Sequence, residues 1–175
     1  MIQKCSNIRV LHEFIKNPSA PFQIRELSRK IKLAPTSVII HLNKLQNENL
    51  VRKQKVGVYD AYIANFDEDD FRFYKKILNL LEIRESGLLK YLEIETTPDT
   101  IILFGSFSKG EDLENSDIDL FIQAKEKKLD LKRFETKLQR KIQLFFAEDL
   151  NKLPKELQNN IINGILLSGF ARWKI

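Results

Sequence analysis

Through the first fifty residues the apolar positions fall three and four apart. Ile8, Leu11 and Ile15, widened by Val10 and Phe14, predict a helix over residues 7–16 that Asn17-Pro18-Ser19 stops. Ile24, Leu27 and Ile31 predict a second, short helix over about 23–31. After the tight connection Lys32-Leu33-Ala34, Pro35 suits the first turn of a third helix, where its missing N–H costs nothing. Val38, Leu42 and Leu45 form that helix's apolar stripe. The rhythm then changes, and residues 50–54 and 59–64 read as two strands joined by a basic turn through Lys55 and Gly57. A longer helix follows over 67–85, with Phe71, Tyr74, Leu78 and Leu81 on one face and Ile77 and Leu80 broadening it. Asp67, Glu68, Asp69 and Asp70 crowd its first turn, where negative charge favours the helix dipole. Ser86-Gly87 breaks the pattern, and Leu88, Leu89 and Leu92 continue it as another short helix. Residues 100–104, TIILF, are a β-branched and aromatic run expected to be a buried strand, and 118–124 reads as a second strand.

Charge divides the chain where the rhythm does. Residues 1–65 carry 11 Lys and Arg against 4 Asp and Glu, whereas residues 66–175 carry 18 against 20. The net charge of +5 therefore belongs to the first third, which points to a polyanion partner there, nucleic acid first. Hydrophobic residues make up 43% of the 175, enough for packed cores. A single cysteine, Cys5, allows no internal disulfide and fits a cytoplasmic setting. Arg9, His12 and Glu13 interrupt any signal-peptide pattern, and no apolar run approaches a membrane span. Two histidines and one cysteine make no zinc site.

Three helices and a two-stranded ribbon, carried by IRELSRKIKLAPTSVIIHLNKLQNENLV and VRKQKVGVYDAYIA, resemble the winged helix-turn-helix family. Ala34 departs from it, standing where such domains often carry a Ser or Thr cap. The resemblance implies that the third helix enters a DNA major groove. Thr36, Ser37, Ile40, His41 and Lys44 would then face base edges or phosphates. Arg25, Arg29, Lys53 and Lys55 would hold phosphates. The alternative is a solvated basic surface that mediates protein contacts.

The chemistry concentrates in TIILFGSFSKGEDLENSDIDLF, residues 100–121. Gly105 permits a sharp turn and close approach to a ligand, Ser106 adds a hydroxyl, and Gly110 stands beside Lys109. Residues 106–111 are expected to start a short helix whose free N–H groups favour an anion. Asp117 and Asp119 lie two apart at a strand start and project from one face, where two carboxylates repel unless a hard cation neutralises them. Ile118, Leu120 and Ile122 take the opposite face.

Gly105-Ser106, ten residues, then Asp117-Ile118-Asp119 resembles the signature of the DNA polymerase beta-type nucleotidyltransferases, and most of all their minimal form. More weakly, RKIQLFFAEDL resembles the family's third strand and NGILLSGF its closing helix and strand. The resemblance implies that Gly105 and Ser106, with Lys109 at the edge, bind a nucleoside triphosphate, ATP first. It implies that Asp117 and Asp119 are catalytic and hold Mg²⁺. The family usually sets a third carboxylate on the next strand; the matching position here is Gln143, which brings no charge and is no general base. Glu148 and Asp149 would serve only in a different register.

The expected fold is α/β (α+β) in two domains: a winged helix-turn-helix over 1–65, a helical connector over 66–95, and over 96–175 a nucleotidyltransferase fold with a mixed sheet flanked by helices. The expected partners are DNA at residues 1–65, a nucleoside triphosphate, and an acceptor hydroxyl on a protein, an RNA end or a small molecule. By analogy with minimal members of the family, a HEPN-domain toxin is one such protein. The connector's stripe suits either packing on its own domains or a homodimer seam. The competing function is a DNA-binding regulator or antitoxin-like protein whose transferase fold only senses nucleotide or docks a partner.

Overall fold

In the computed structural model, which describes residues 5–170, the first helix buries the stripe its spacing defines. Val10, Leu11, Phe14 and Ile15 of α1 (Ser6–Lys16) point inward. They meet Leu27 and Ile31 of α2 (Ile24–Ile31) and Val38, Leu42 and Leu45 of α3 (Pro35–Asn47). Each fully buried Leu or Phe here contributes roughly 1.5–3 kcal/mol. No side chain caps α3 at Ala34, and Pro35 fills its first position. An antiparallel ribbon follows, β1 (Val51–Val56) on β2 (Tyr59–Ala64). β1 runs two residues beyond the expected end because pairing continues to Val56↔Tyr59, next to the turn. Phe22, ahead of α2, adds a bridge to Tyr62 and packs edge-on against Phe14.

The described chain divides into two compact units, with the boundary between Lys75 and Lys76 inside α4 (Asp69–Ser86). Part of the expected face of α4 is buried, Phe71 and Leu78 foremost, and part is not. Tyr74 is 43% exposed, and Phe73 and Ile77 are exposed with it, whereas Lys75 and Asn79 are 1% and 2% exposed. Both buried polar groups have partners that apolar spacing cannot reveal. Lys75 Nζ donates to the Ile15 carbonyl at 2.7 Å, and Asn79 donates to the Phe107 carbonyl at 3.1 Å and to Asp112 Oδ1 at 2.8 Å.

Gly87, at φ +84°, turns the chain from α4 into α5 (Leu88–Thr96). The second unit then builds β3 (Thr100–Phe104), α6 (Gly105–Lys109), β4 (Ile118–Ile122), α7 (Lys132–Leu138), β5 (Ile142–Phe146), a 3₁₀ turn at Leu150–Lys152, α8 (Lys155–Ile162) and β6 (Ile165–Gly169). The four strands form one mixed sheet in the order β5-β4-β3-β6. β3 pairs antiparallel with β4 and β6, and β4 pairs parallel with β5 across the α7 crossover. β4 ends two residues before the expected 124 because the Ala124 N–H turns back to the Ile122 carbonyl. Alternate residues serve opposite faces. Ile101, Leu103, Ile118, Leu120, Ile122 and Ile142 pack with Leu88, Leu92 and Phe134 on one face. Ile102, Phe104 and Phe121 pack with Leu150 and Ile161 on the other. No helix among the described residues is long and apolar enough to cross a membrane.

Candidate active site

Strand direction gathers the chemistry. β3 runs into the Gly105-Ser106 turn at the edge where β4 begins, because the two strands are antiparallel and Phe104 pairs with Asp119. β5 runs parallel to β4, so it also begins there, and Asp119 pairs with Gln143. Gly105, Ser106, Asp117, Asp119 and Gln143 thus meet at one end of three neighbouring strands.

Gly105 adopts φ +72°, and a Cβ built on it would run into the Asp119 carboxylate. The turn and the carboxylate are therefore packed as one cradle, which only a glycine permits. Gly105, Ser106, Asp117 and Asp119 are half-buried, and Lys109 is exposed at the end of α6. Ser108 Oγ donates to the Gly105 carbonyl at 2.7 Å, fixing the turn from below. Burial pushes the Asp119 carboxyl above its ordinary pKa, and the Asp117 charge beside it adds to the rise. Two carboxylates of this kind, one of them resisting ionisation, are a donor set suited to a hard divalent cation.

Gln143 is exposed and donates its side-chain amide to Asp117 Oδ2. Glu148 and Asp149 lie past the other end of β5. The Glu148 carbonyl accepts from Gln123, beyond the far end of β4, and Asp149 Oδ1 accepts from the Asn151 backbone. Among the described residues no group of three His, Cys, Asp or Glu side chains gathers.

Three positioning residues had no signal in the sequence. Asp112 is fully buried on the loop that leads to Asp117. Asn79 donates to its Oδ1, and Arg140 lies 3.7 Å from its Oδ2. Arg140 also donates to the Glu114 carbonyl at 2.5 Å. Only pairing across distant segments reveals such a clamp. A cavity of about 440 Å³ opens beside Asp117, with Ser116, Lys132, Thr136 and Lys141 among its walls.

The nucleic-acid candidates lie in the first unit. Arg25, Arg29, Thr36, Ile40, Lys44, Lys53 and Lys55 are exposed, and Ser37 and His41 are half-buried. Thr36, Ile40 and Lys44 follow one another along α3 at helical spacing. Lys53 is engaged, its Nζ lying 2.8 Å from Asp60 across the ribbon. That hydrogen bond raises the Lys53 pKa and lowers that of Asp60. Lys44 sits 4.0 Å from Glu48.

Residues 87–169 match the family model described as Polymerase beta, Nucleotidyltransferase. No curated protein matches the chain, and no solved structure does. The matched stretch is similar to a nucleotidyltransferase domain and contains all the residues gathered at the strand ends.

Proposed function

We propose that the chain is a nucleotidyltransferase that moves a nucleoside monophosphate from a triphosphate, ATP first, to an acceptor hydroxyl. The packing of Gly105 against Asp119 carries this reading, because it joins a phosphate-type turn to a carboxylate pair in one cradle. Gly105 lets the backbone approach the phosphates, Ser106 offers a hydroxyl donor, and Lys109 adds charge at the rim. Asp117 and Asp119 would hold Mg²⁺, which when bound neutralises charge on the phosphates. The cavity beside Asp117 gives an acceptor room next to that carboxylate.

The first unit then acts as a winged helix-turn-helix that binds DNA through α3, with Arg25, Arg29 and Lys55 on phosphates. Its local charge excess and the helix–helix–helix–ribbon order support this. A homodimer and a protein acceptor such as a HEPN-domain toxin are compatible with the reading.

The test is transfer of label from α-labelled ATP or CTP in the presence of Mg²⁺. Labelled product that disappears in Asp119→Asn is the expected result. Specific DNA binding with no transfer to any acceptor favours the second reading, a regulator with a degenerate transferase fold, for which Gln143 is the supporting observation.

A further inference from the structure

Resting on the nucleotide-site reading, we propose that Gln143 makes this a one-cation site. Its amide N–H occupies the face of Asp117 that a second cation would need. The register leaves no doubt about the position: Gln143 pairs with Asp119 in the parallel β4–β5 ladder and so projects from the same face. From there its amide reaches Asp117 Oδ2. A carboxylate oxygen accepts, so the group turned toward it is the amide nitrogen, and the amide oxygen points away.

Charge argues the same way. Two divalent ions about 3.5–4 Å apart, as two-metal sites hold them, need anionic oxygens placed between and around them. Asp119 lies directly against Gly105, on the turn assigned to phosphates. Asp117 and Asp119 together supply the carboxylates for one ion, and a second ion would need a further anionic oxygen where the Gln143 amide instead turns its partial positive charge toward Asp117. Glutamine cannot ionise, so no pH change converts the position. It also cannot take a proton from an acceptor hydroxyl, so a Gln143→Glu chain gains both a ligand and a base.

The experiment counts Mn²⁺ by electron paramagnetic resonance on the full chain with a non-hydrolysable ATP analogue. One bound Mn²⁺ per chain is expected for the wild type. Gln143→Glu is expected to bind two, with the spin–spin broadening of neighbouring ions, and Gln143→Leu to keep one. Gln143 is exposed, and a cooperative melt of each variant is the control for folding. Two Mn²⁺ in the wild type, or one in both Gln143→Glu and Gln143→Asp, overturns the proposal while leaving the nucleotide site intact. Failure of the wild type to bind the analogue or any Mn²⁺ overturns the nucleotide-site reading itself, and this proposal with it.

Discussion

Gln143 donates its side-chain amide to the carboxylate of Asp117, joining the starts of two parallel strands at the edge where the Gly105-Ser106 turn lies. In a three-carboxylate site these neighbours would repel each other without a cation. Here one is an amide, and the pair holds itself together. The cost falls on base catalysis, because an amide cannot accept the hydroxyl proton. Slow transfer by the wild type and a rise of at least tenfold in Gln143→Glu are expected in a single-turnover assay, with an unchanged or lower rate counting against this view.

Gly105→Ala tests the cradle. Its Cβ would collide with the Asp119 carboxylate, and φ +72° disfavours any side chain. The variant is expected to lose about 1 kcal/mol or more of stability and to bind ATP at least tenfold more weakly in a calorimetric titration.

Asp119 gives the site a pH dependence with a definite sign. Its folded-state pKa is raised by burial first and then by Asp117. The folded chain therefore binds more protons than the unfolded chain between the ordinary carboxylate pKa and the raised one, and stability falls as pH rises through that window. Above that window the ionised Asp119 is a net cost to folding. Asp119→Asn should accordingly melt at a higher temperature than the wild type above the window, with the difference shrinking below it. Cation-dependent ATP binding should be absent from the variant and should fail in the wild type on acidification through the same window.

Much of this was legible in the sequence because it is local. TIILF forms β3 at its expected bounds, and the Gly-Ser turn and Asp-X-Asp pair lie within fifteen residues of each other. Gln143 also lies on the strand beside Asp119, where the family resemblance placed it. Features that depend on distant partners were not legible. Tyr74 carries the right spacing for a core, yet α4 turns Lys75 and Asn79 inward because Ile15, Phe107 and Asp112 supply their hydrogen bonds. Helix α7 escaped notice because KRFETKL offers only Phe134 and Leu138 as buried positions. The engagement of Lys53 is a cross-strand fact, visible only once Asp60 is known to lie nearby.

That last contact changes what to expect of the ribbon in DNA binding. Lys53 is held by Asp60, whereas Lys55 is exposed on the same strand. Asp60→Asn removes a negative charge and releases Lys53. It should tighten DNA binding and steepen the dependence of log affinity on log salt by about one unit if Lys53 then reaches a phosphate. Lys55→Ala should weaken binding more than Lys53→Ala. Unchanged binding in both, measured by fluorescence anisotropy over a salt series, would remove the ribbon from the docking face.

The buried clamp on Asp112 is a separate test of how Asp117 is held. Asn79→Leu deletes a donor to a carboxylate with no exposure. Loss of about 1–3 kcal/mol is expected in chemical denaturation. ATP affinity measured well below the unfolding midpoint should also fall, because the loop carrying Asp117 loses a fixed point. Full affinity in a destabilised variant would mean that the clamp serves stability alone.

The most direct test of the nucleotide site is a calorimetric titration of the full chain with ATP, with and without Mg²⁺, beside Asp117→Asn and Asp119→Asn. Binding to the wild type that depends on Mg²⁺ and is lost in both variants is the expected result. Absence of binding to the wild type, or equal binding by all three chains, would contradict the assignment of Gly105, Ser106, Asp117 and Asp119 to a nucleotide.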